Sequence, residues 1–363
     1  MISYPGPSGA ASAQGVEARG HFASPSIAEL SMKPAACCIL AAAVLLAAHP
    51  ALAADVIRVG IVGLDTSHVI AFTKLLNDAS SPDHVPGARV VAGYAGGTAD
   101  NPSSSTRVEG YTRQLASEFQ VEIVPDIPTL CSKVDAVLLE SVDGRPHLEQ
   151  LRPILAARKP VYIDKPIAGS LADAREIVRL VRESHVPCFS ASSLRFFPSI
   201  RGLRANDAVG DVLGCEVHSP CELEEHHPDL YWYGVHGVEA LFTVMGTGCE
   251  SVTRVAAPDS DVVVGLWKGG RIGSYRGIRK GAAPYGVTAF GSRGVRSSDP
   301  VDGSLYRHLV AEIVKFFQTG VAPVSLDETL EMFAFMSAAD ESKRRGGAPV
   351  RLSEVLAPSG ERK

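Results

Sequence analysis

Between residues 56 and 190 the chain alternates short, β-branched apolar runs with stretches of helical periodicity. The runs fall at 56–62, 89–94, 121–124, 136–139, 161–163 and 187–190. Between the first two, Val69, Phe72 and Leu76 share one helical face; residues 147–157 form a further helix. Ser170-Leu171-Ala172-Asp173 resembles a capping box that opens a helix running to Arg182. Strands that are apolar on both faces and separated by helices specify a parallel sheet covered on both sides.

After about Ser193 the texture changes. Strand-like runs at 213–218, 251–256, 262–267, 271–277 and 285–291 lie closer together, and Lys268-Gly269-Gly270 is a hairpin signal. Helices are expected at 234–245, 306–319 and 326–345. Adjacent hairpins with helices grouped aside specify an open, largely antiparallel sheet with one helical face. The fold class is therefore α/β, a parallel-sheet domain over 55–192 followed by an α+β domain over 193–363.

Residues 1–54 read as a leader. Met32-Lys33 is the expected true start, an apolar run occupies 35–48, His49-Pro50 breaks it, and Ala51-Leu52-Ala53 is a small-x-small site. That is a secretory signal peptide cleaved near Ala53/Ala54, which implies a periplasmic or secreted protein. The run is shorter than the ~20 apolar residues of a membrane span, so no stable anchor is expected after cleavage. A net charge of −5 without a basic tract excludes nucleic acid as the expected partner. Outside the leader, Cys131, Cys188, Cys215, Cys221 and Cys249 form no CxxC pair; they read as buried thiols rather than a disulfide framework.

The turn after the first strand is Gly60-Ile61-Val62-Gly63-Leu64-Asp65-Thr66-Ser67-His68. A dinucleotide fingerprint would place glycine where Asp65 and His68 stand. Either Asp65 or Ser67 caps the following helix, or Asp65, Thr66, Ser67 and His68 line a polar ligand pocket. The second strand ends in Tyr94-Ala95-Gly96-Gly97, without the acid that usually holds a ribose.

Val161-Tyr162-Ile163-Asp164-Lys165-Pro166 puts a lysine at the carboxyl end of a parallel strand, facing the crevice where such sheets bind ligands. The proline restricts the backbone there and can hold a cis bond. A partly buried lysine can move a proton or polarise a hydroxyl.

This tract resembles the Glu-Lys-Pro signature of the glucose–fructose oxidoreductase/inositol dehydrogenase/MocA-like (Gfo/Idh/MocA) family. The resemblance extends in order through Val134–Leu139 and a loop ending at His147, Arg158-Lys159-Pro160-Val161, Leu194-Arg195-Phe196, Gly210–Gly214, Asp327-Glu328 and the tail 338–352. It implies a Rossmann-type domain, a C-terminal sheet domain that supports homo-oligomers, and NAD or NADP as cofactor. It also implies a sugar, cyclitol or related polyol as the small-molecule substrate. The family's Asp-x-x-x-His-x-x-Asp motif is matched by His236 and Glu239, with Trp232 in place of the first acid. Lys165 and His236 are thus the expected catalytic pair. Gly60, Gly63, Asp65, Thr66, Ser67, His68, Ser141, His147 and Asp164 are the expected cofactor-binding residues, and Arg195, Trp232, Tyr233 and Glu239 the substrate residues.

His236 and Glu239 lie three apart at a helix start, so Glu239 could orient the histidine. The loop from His218 to Asp229 is rich in His and Glu, but no known ligand spacing appears; it reads as a polar loop over the cleft, and no metal is expected. The resulting function is an NAD(P)-dependent oxidoreductase with a degenerate cofactor loop. The alternatives are a non-redox lyase or hydrolase, or an inactive carbohydrate-binding protein, on the same scaffold.

Overall fold

The computed structural model describes residues 56–357; the expected leader and its cleavage site lie outside them. Six strands form the first sheet. They are β1 (Ile57–Val62), β2 (Ala88–Tyr94), β3 (Glu122–Ile123), β4 (Ala136–Leu139), β5 (Val161–Ile163) and β6 (Cys188–Ser190). Their order is β3-β2-β1-β4-β5-β6, all parallel. The strand order reverses between β1 and β4, which opens a crevice at their carboxyl ends. The connecting helices are α1 (His68–Asn77), α2 (Val108–Phe119), α3 (Ile127–Lys133), α4 (His147–Ala156) and α5 (Leu171–Ser184).

The local chemistry explains these elements. Val69, Phe72 and Leu76 are the buried stripe of α1. The Ser170 hydroxyl accepts from the Asp173 N–H, so half of the capping box expected of α5 is present; the Asp173 carboxylate accepts from that hydroxyl rather than from the Ser170 N–H. The third strand is shorter than expected, two residues at the sheet edge with exposed side chains.

The second sheet contains β7 (Val212–Pro220), β8 (Cys249–Ala257), β9 (Ser260–Trp267), β10 (Arg271–Ile278), β11 (Gly286–Gly291), β12 (Val295–Ser297) and β13 (Val350–Arg351). Its order is β12-β11-β7-β10-β9-β8-β13. The pairings are antiparallel except that of β7 with β10. Trp267 opposes Arg271 across the Lys268-Gly269-Gly270 turn, as the hairpin signal requires. Burial alternates along β9: Val263 and Trp267 face inward, Val264 and Leu266 outward. The inward face is covered by α6 (Gly234–Met245) and α8 (Leu326–Arg344).

The helix α7 (Leu305–Thr319) crosses back to the first sheet. Its Leu309, Ile313 and Phe316 join Phe72 and Phe189 in one apolar cluster, with the Phe189 and Phe316 rings 4.9 Å apart. That packing carries Tyr306, near the start of α7, to the mouth of the β1–β4 crevice. The five described cysteines are buried and unpaired. Among the described residues no helix is long and apolar enough to cross a membrane.

Candidate active site

The carboxyl ends of β1, β4 and β5 deliver three adjacent groups. His68 opens α1, Glu140 follows β4, and Asp164 follows β5; all three are buried. His68 Nδ1 lies 2.8 Å from Asp164 Oδ2 and 3.7 Å from Glu140 Oε2. Burial alone would depress the imidazole pKa, but the Asp164 carboxylate overrides it and raises His68 to about 9. Burial works on Asp164 in the opposite direction, yet the His68 and Lys165 cations hold it well below the usual carboxylate range. The same two cations act on Glu140 but are outweighed. Burial and the neighbouring Asp164 charge push it up to about 7, and neither of its oxygens has a hydrogen-bond partner.

Lys165 Nζ lies 3.8 Å from Asp164 Oδ2, and the Lys165–Pro166 peptide is cis. Lys165 and His236 line the same cavity of about 240 Å³. His236 comes from the first turn of α6, and its Nδ1 lies 2.7 Å from the Ser192 hydroxyl. Burial and the nearby Lys165 charge hold its pKa well below the ordinary value, so the ring is neutral at neutral pH. Thr66, Ser67, His68, Trp232, Tyr233, Tyr285 and Tyr306 complete much of the wall. Of these, Tyr285 and Tyr306 were not expected, because they come from the second domain over long sequence distances. Ser103 and Arg107, from the segment after β2, also reach the cavity.

Several expected site residues do not reach it. Gly60 lies inside β1, where a Cβ would meet the Leu130 side chain at 2.4 Å; its role is close helix–strand packing. Gly63 has φ +86°, and a Cβ there would lie 2.4 Å from the Ser141 backbone nitrogen. It therefore lets the β4 loop approach, rather than a phosphate. Ser141 Oγ donates to Gln150. His147 is wedged between the Ser141 and Ile167 carbonyls, 2.9 and 3.2 Å from its ring nitrogens. Asp164 is turned toward His68 and the Tyr162 hydroxyl.

Asp65 settles differently from either expectation. It is fully buried, accepts from Ser104 Oγ at 2.6 Å and from the Val142 N–H at 2.9 Å, and ties two loops together. It does not cap α1, and Ser67, at the cap position, makes no side-chain cap bond. Burial raises the Asp65 pKa, while those two hydrogen bonds oppose the shift. The Asp65 carboxylate therefore does not line the cavity that Thr66, Ser67 and His68 line.

Arg195 and Glu239 form a buried ion pair, and Arg195 also contacts Glu328 at 2.7 Å. Neither residue lines the cavity. Glu239 consequently does not orient His236; Ser192 occupies that place. The histidine-rich loop is also spoken for: Glu224 bonds the rings of His226 and His227, and His227 Nε2 lies 3.2 Å from Asp143.

A nicotinamide dinucleotide needs donors for its phosphates beside the turn after β1. Thr66 and Ser67 at the start of α1, with Ser103 and Arg107 opposite, supply hydroxyls and one cation around the same cavity. This donor set fits a phosphate group even though two fingerprint glycines are replaced. No acid stands at the end of β2 to hold a ribose.

Residues 57–192 match the family model described as "Oxidoreductase family, NAD-binding Rossmann fold". An uncharacterized oxidoreductase of Streptococcus pneumoniae serotype 4 is 26% identical over 156 residues, 38% of this chain and 42% of that one. The 2,7-anhydro-N-acetylneuraminate hydratase of Mediterraneibacter gnavus is 29% identical over 160 residues, 38% of this chain and 41% of that one. The chain thus spans less than half the length of these two curated relatives. Among solved structures, scyllo-inositol dehydrogenase from Lactobacillus casei with bound NAD(H) and scyllo-inositol superposes with a TM-score of 0.67 at 14% identity. That superposition covers 82% of this chain and 100% of the other, and it shows that the two share a fold.

Proposed function

We propose that the chain, whose residues 57–192 match the oxidoreductase family model, is a divergent member of the Gfo/Idh/MocA oxidoreductase family and that it oxidises or reduces a carbon bearing a hydroxyl on a sugar, cyclitol or related polyol. The observation that carries the reading is the meeting of Lys165 with a neutral, buried His236 on one polar cavity. The cavity, about 240 Å³, lies just under the ~300–1,000 Å³ of sites for drug-sized ligands. Trp232, Tyr233, Tyr285 and Tyr306 offer apolar faces and hydroxyls to such a ring.

With Nδ1–H donating to Ser192 Oγ, His236 Nε2 is free to accept the proton of a substrate hydroxyl. The Lys165 ammonium steadies the oxygen as negative charge builds on it. Asp164, held between His68 and Lys165, positions that ammonium. Hydride acceptance is the chemistry a bound nicotinamide supplies, with Thr66, Ser67, Ser103 and Arg107 as its phosphate ligands. NAD and NADP are both compatible with this donor set.

The missing ribose acid and the replaced glycines favour a second reading on the same residues, a lyase- or hydrolase-type proton transfer without net redox; a relative of 29% identity is a hydratase. A carbohydrate-binding protein without turnover is the third. Two wider features belong to the proposal. The leader pattern supports a periplasmic or secreted location. Leu213, Val264, Leu266 and Ile272 form an exposed apolar face on the second sheet that supports a homo-oligomer.

The test is turnover of a panel of monosaccharides and cyclitols by the chain begun at Asp55, followed through nicotinamide absorbance. Lys165→Ala is expected to lower kcat/KM by about 10²–10⁴ with the fold intact. An unchanged rate in that variant removes Lys165 from the mechanism.

A further inference from the structure

We propose that His68, Glu140 and Asp164 form a binding site for one divalent transition cation, Zn²⁺ or Mn²⁺, behind the wall of the cavity. Each residue offers one ligand atom, and the three atoms lie within 4.8 Å of one another. They come from three different strand ends, β1, β4 and β5, that the parallel sheet brings together. Ligand bonds to Zn²⁺ are about 2.0–2.2 Å, so atoms sharing an ion lie roughly 3–4 Å apart. The His68–Glu140 separation of 3.7 Å lies within that spacing, and the His68–Asp164 separation of 2.8 Å, now a hydrogen bond, would open by a few tenths of an ångström.

The independent observation is Glu140. Its side chain is completely buried, it is aimed at His68, and both oxygens lack a partner. A buried carboxylate without hydrogen bonds is costly, and such groups are paired, protonated or metal-bound. Among the described residues the cations close to it are His68, when protonated, and Lys165, and Asp164 is shared with both. One imidazole nitrogen with two carboxylate oxygens is a ligand set suited to Zn²⁺ or Mn²⁺. Such an ion takes the place of the His68 Nδ1 proton, which leaves to solvent, and its two charges balance the two carboxylates, satisfy Glu140 and clamp the three strand ends. The site does not depend on nucleotide binding, so it stands or falls separately from the redox reading.

The test is metal content and titration of the purified chain. After chelation and desalting, Zn²⁺ and Mn²⁺ are titrated by calorimetry, with thermal unfolding followed in parallel. The expected result is one equivalent per chain and a melting temperature that rises with metal. Glu140→Gln keeps the shape and removes the charge; it is expected to weaken binding at least about tenfold and to abolish the thermal shift. His226→Ala, in the separate histidine-rich loop, is expected to leave both unchanged. No bound or titratable metal in the wild type overturns the proposal. So does equal affinity in Glu140→Gln, or loss of binding in His226→Ala, either of which would place the ion elsewhere.

Discussion

Replacing Gly63 with alanine separates a packing role from a ligand role. Gly63 is held at φ +86°, where a side chain costs about 1–2 kcal/mol. A Cβ there would also lie 2.4 Å from the Ser141 nitrogen and 2.5 Å from its Cα. Those are backbone atoms of the β4 loop, which Asp65 pins through Val142, so relief requires moving the loop. Overpacking of this kind adds about 1–3 kcal/mol. Gly63→Ala should therefore destabilise by roughly 2–5 kcal/mol in urea unfolding. Gly269 supplies the control. Its φ is +78°, with nothing within 4 Å of a Cβ, so Gly269→Ala should lose only about 1–2 kcal/mol. Equal losses in the two variants would refute the packing argument. So would a Gly63→Ala chain of normal stability whose sole defect is nucleotide affinity.

Further expectations concern groups away from the reacting atoms. Arg195→Met strips Glu239 and Glu328 of their partner and should destabilise by about 3–5 kcal/mol; a raised substrate KM at normal stability would instead return Arg195 to the substrate site. The Asp143–His227 contact makes stability depend on pH. Burial would raise the Asp143 pKa, but His227 and Arg145 hold it far below the usual range, so its contribution is present above about pH 4 and fades below it. Burial would lower His227, but Asp143 and Glu224 raise it, so its contribution is full below about pH 6.5 and is lost as pH climbs through the raised value. Urea midpoints of the wild type should thus fall on both sides of that window, and His227→Gln should lessen the alkaline fall, to which His68, raised to about 9, also contributes; a flat wild-type profile contradicts the contact.

The two-layer plan was legible because it rests on local patterns. Apolar runs, the Ser170 cap and the Lys268-Gly269-Gly270 turn each report their own neighbourhood. Helices α2 and α3 carried less signal: α2 buries only Leu115 among its residues, and α3 is a single short stretch begun by Asp126. Lys165 and His236, the expected catalytic pair, do line one cavity, but the expected support of His236 is not there. Glu239 is on the correct helix, yet its carboxylate turns to Arg195, and Ser192 takes the contact with His236. A spacing of three residues shows that two side chains are neighbours, not which partner wins. Glu140 was missed because a lone acid after a strand looks ordinary until burial shows it unpaired. Tyr306 was missed because only the return of α7 to the first sheet brings it there.

If Lys165 and His236 work beside a nicotinamide nucleotide whose phosphates are held by Thr66, Ser67, Ser103 and Arg107, the folded chain must bind that nucleotide. Calorimetric titration of the folded chain with NAD⁺ and NADP⁺ tests it directly. One site per chain is expected, weakened about 10- to 100-fold in Arg107→Ala, the equivalent of one charge-assisted hydrogen bond. Absence of binding at millimolar nucleotide, by protein shown to be folded, would contradict it.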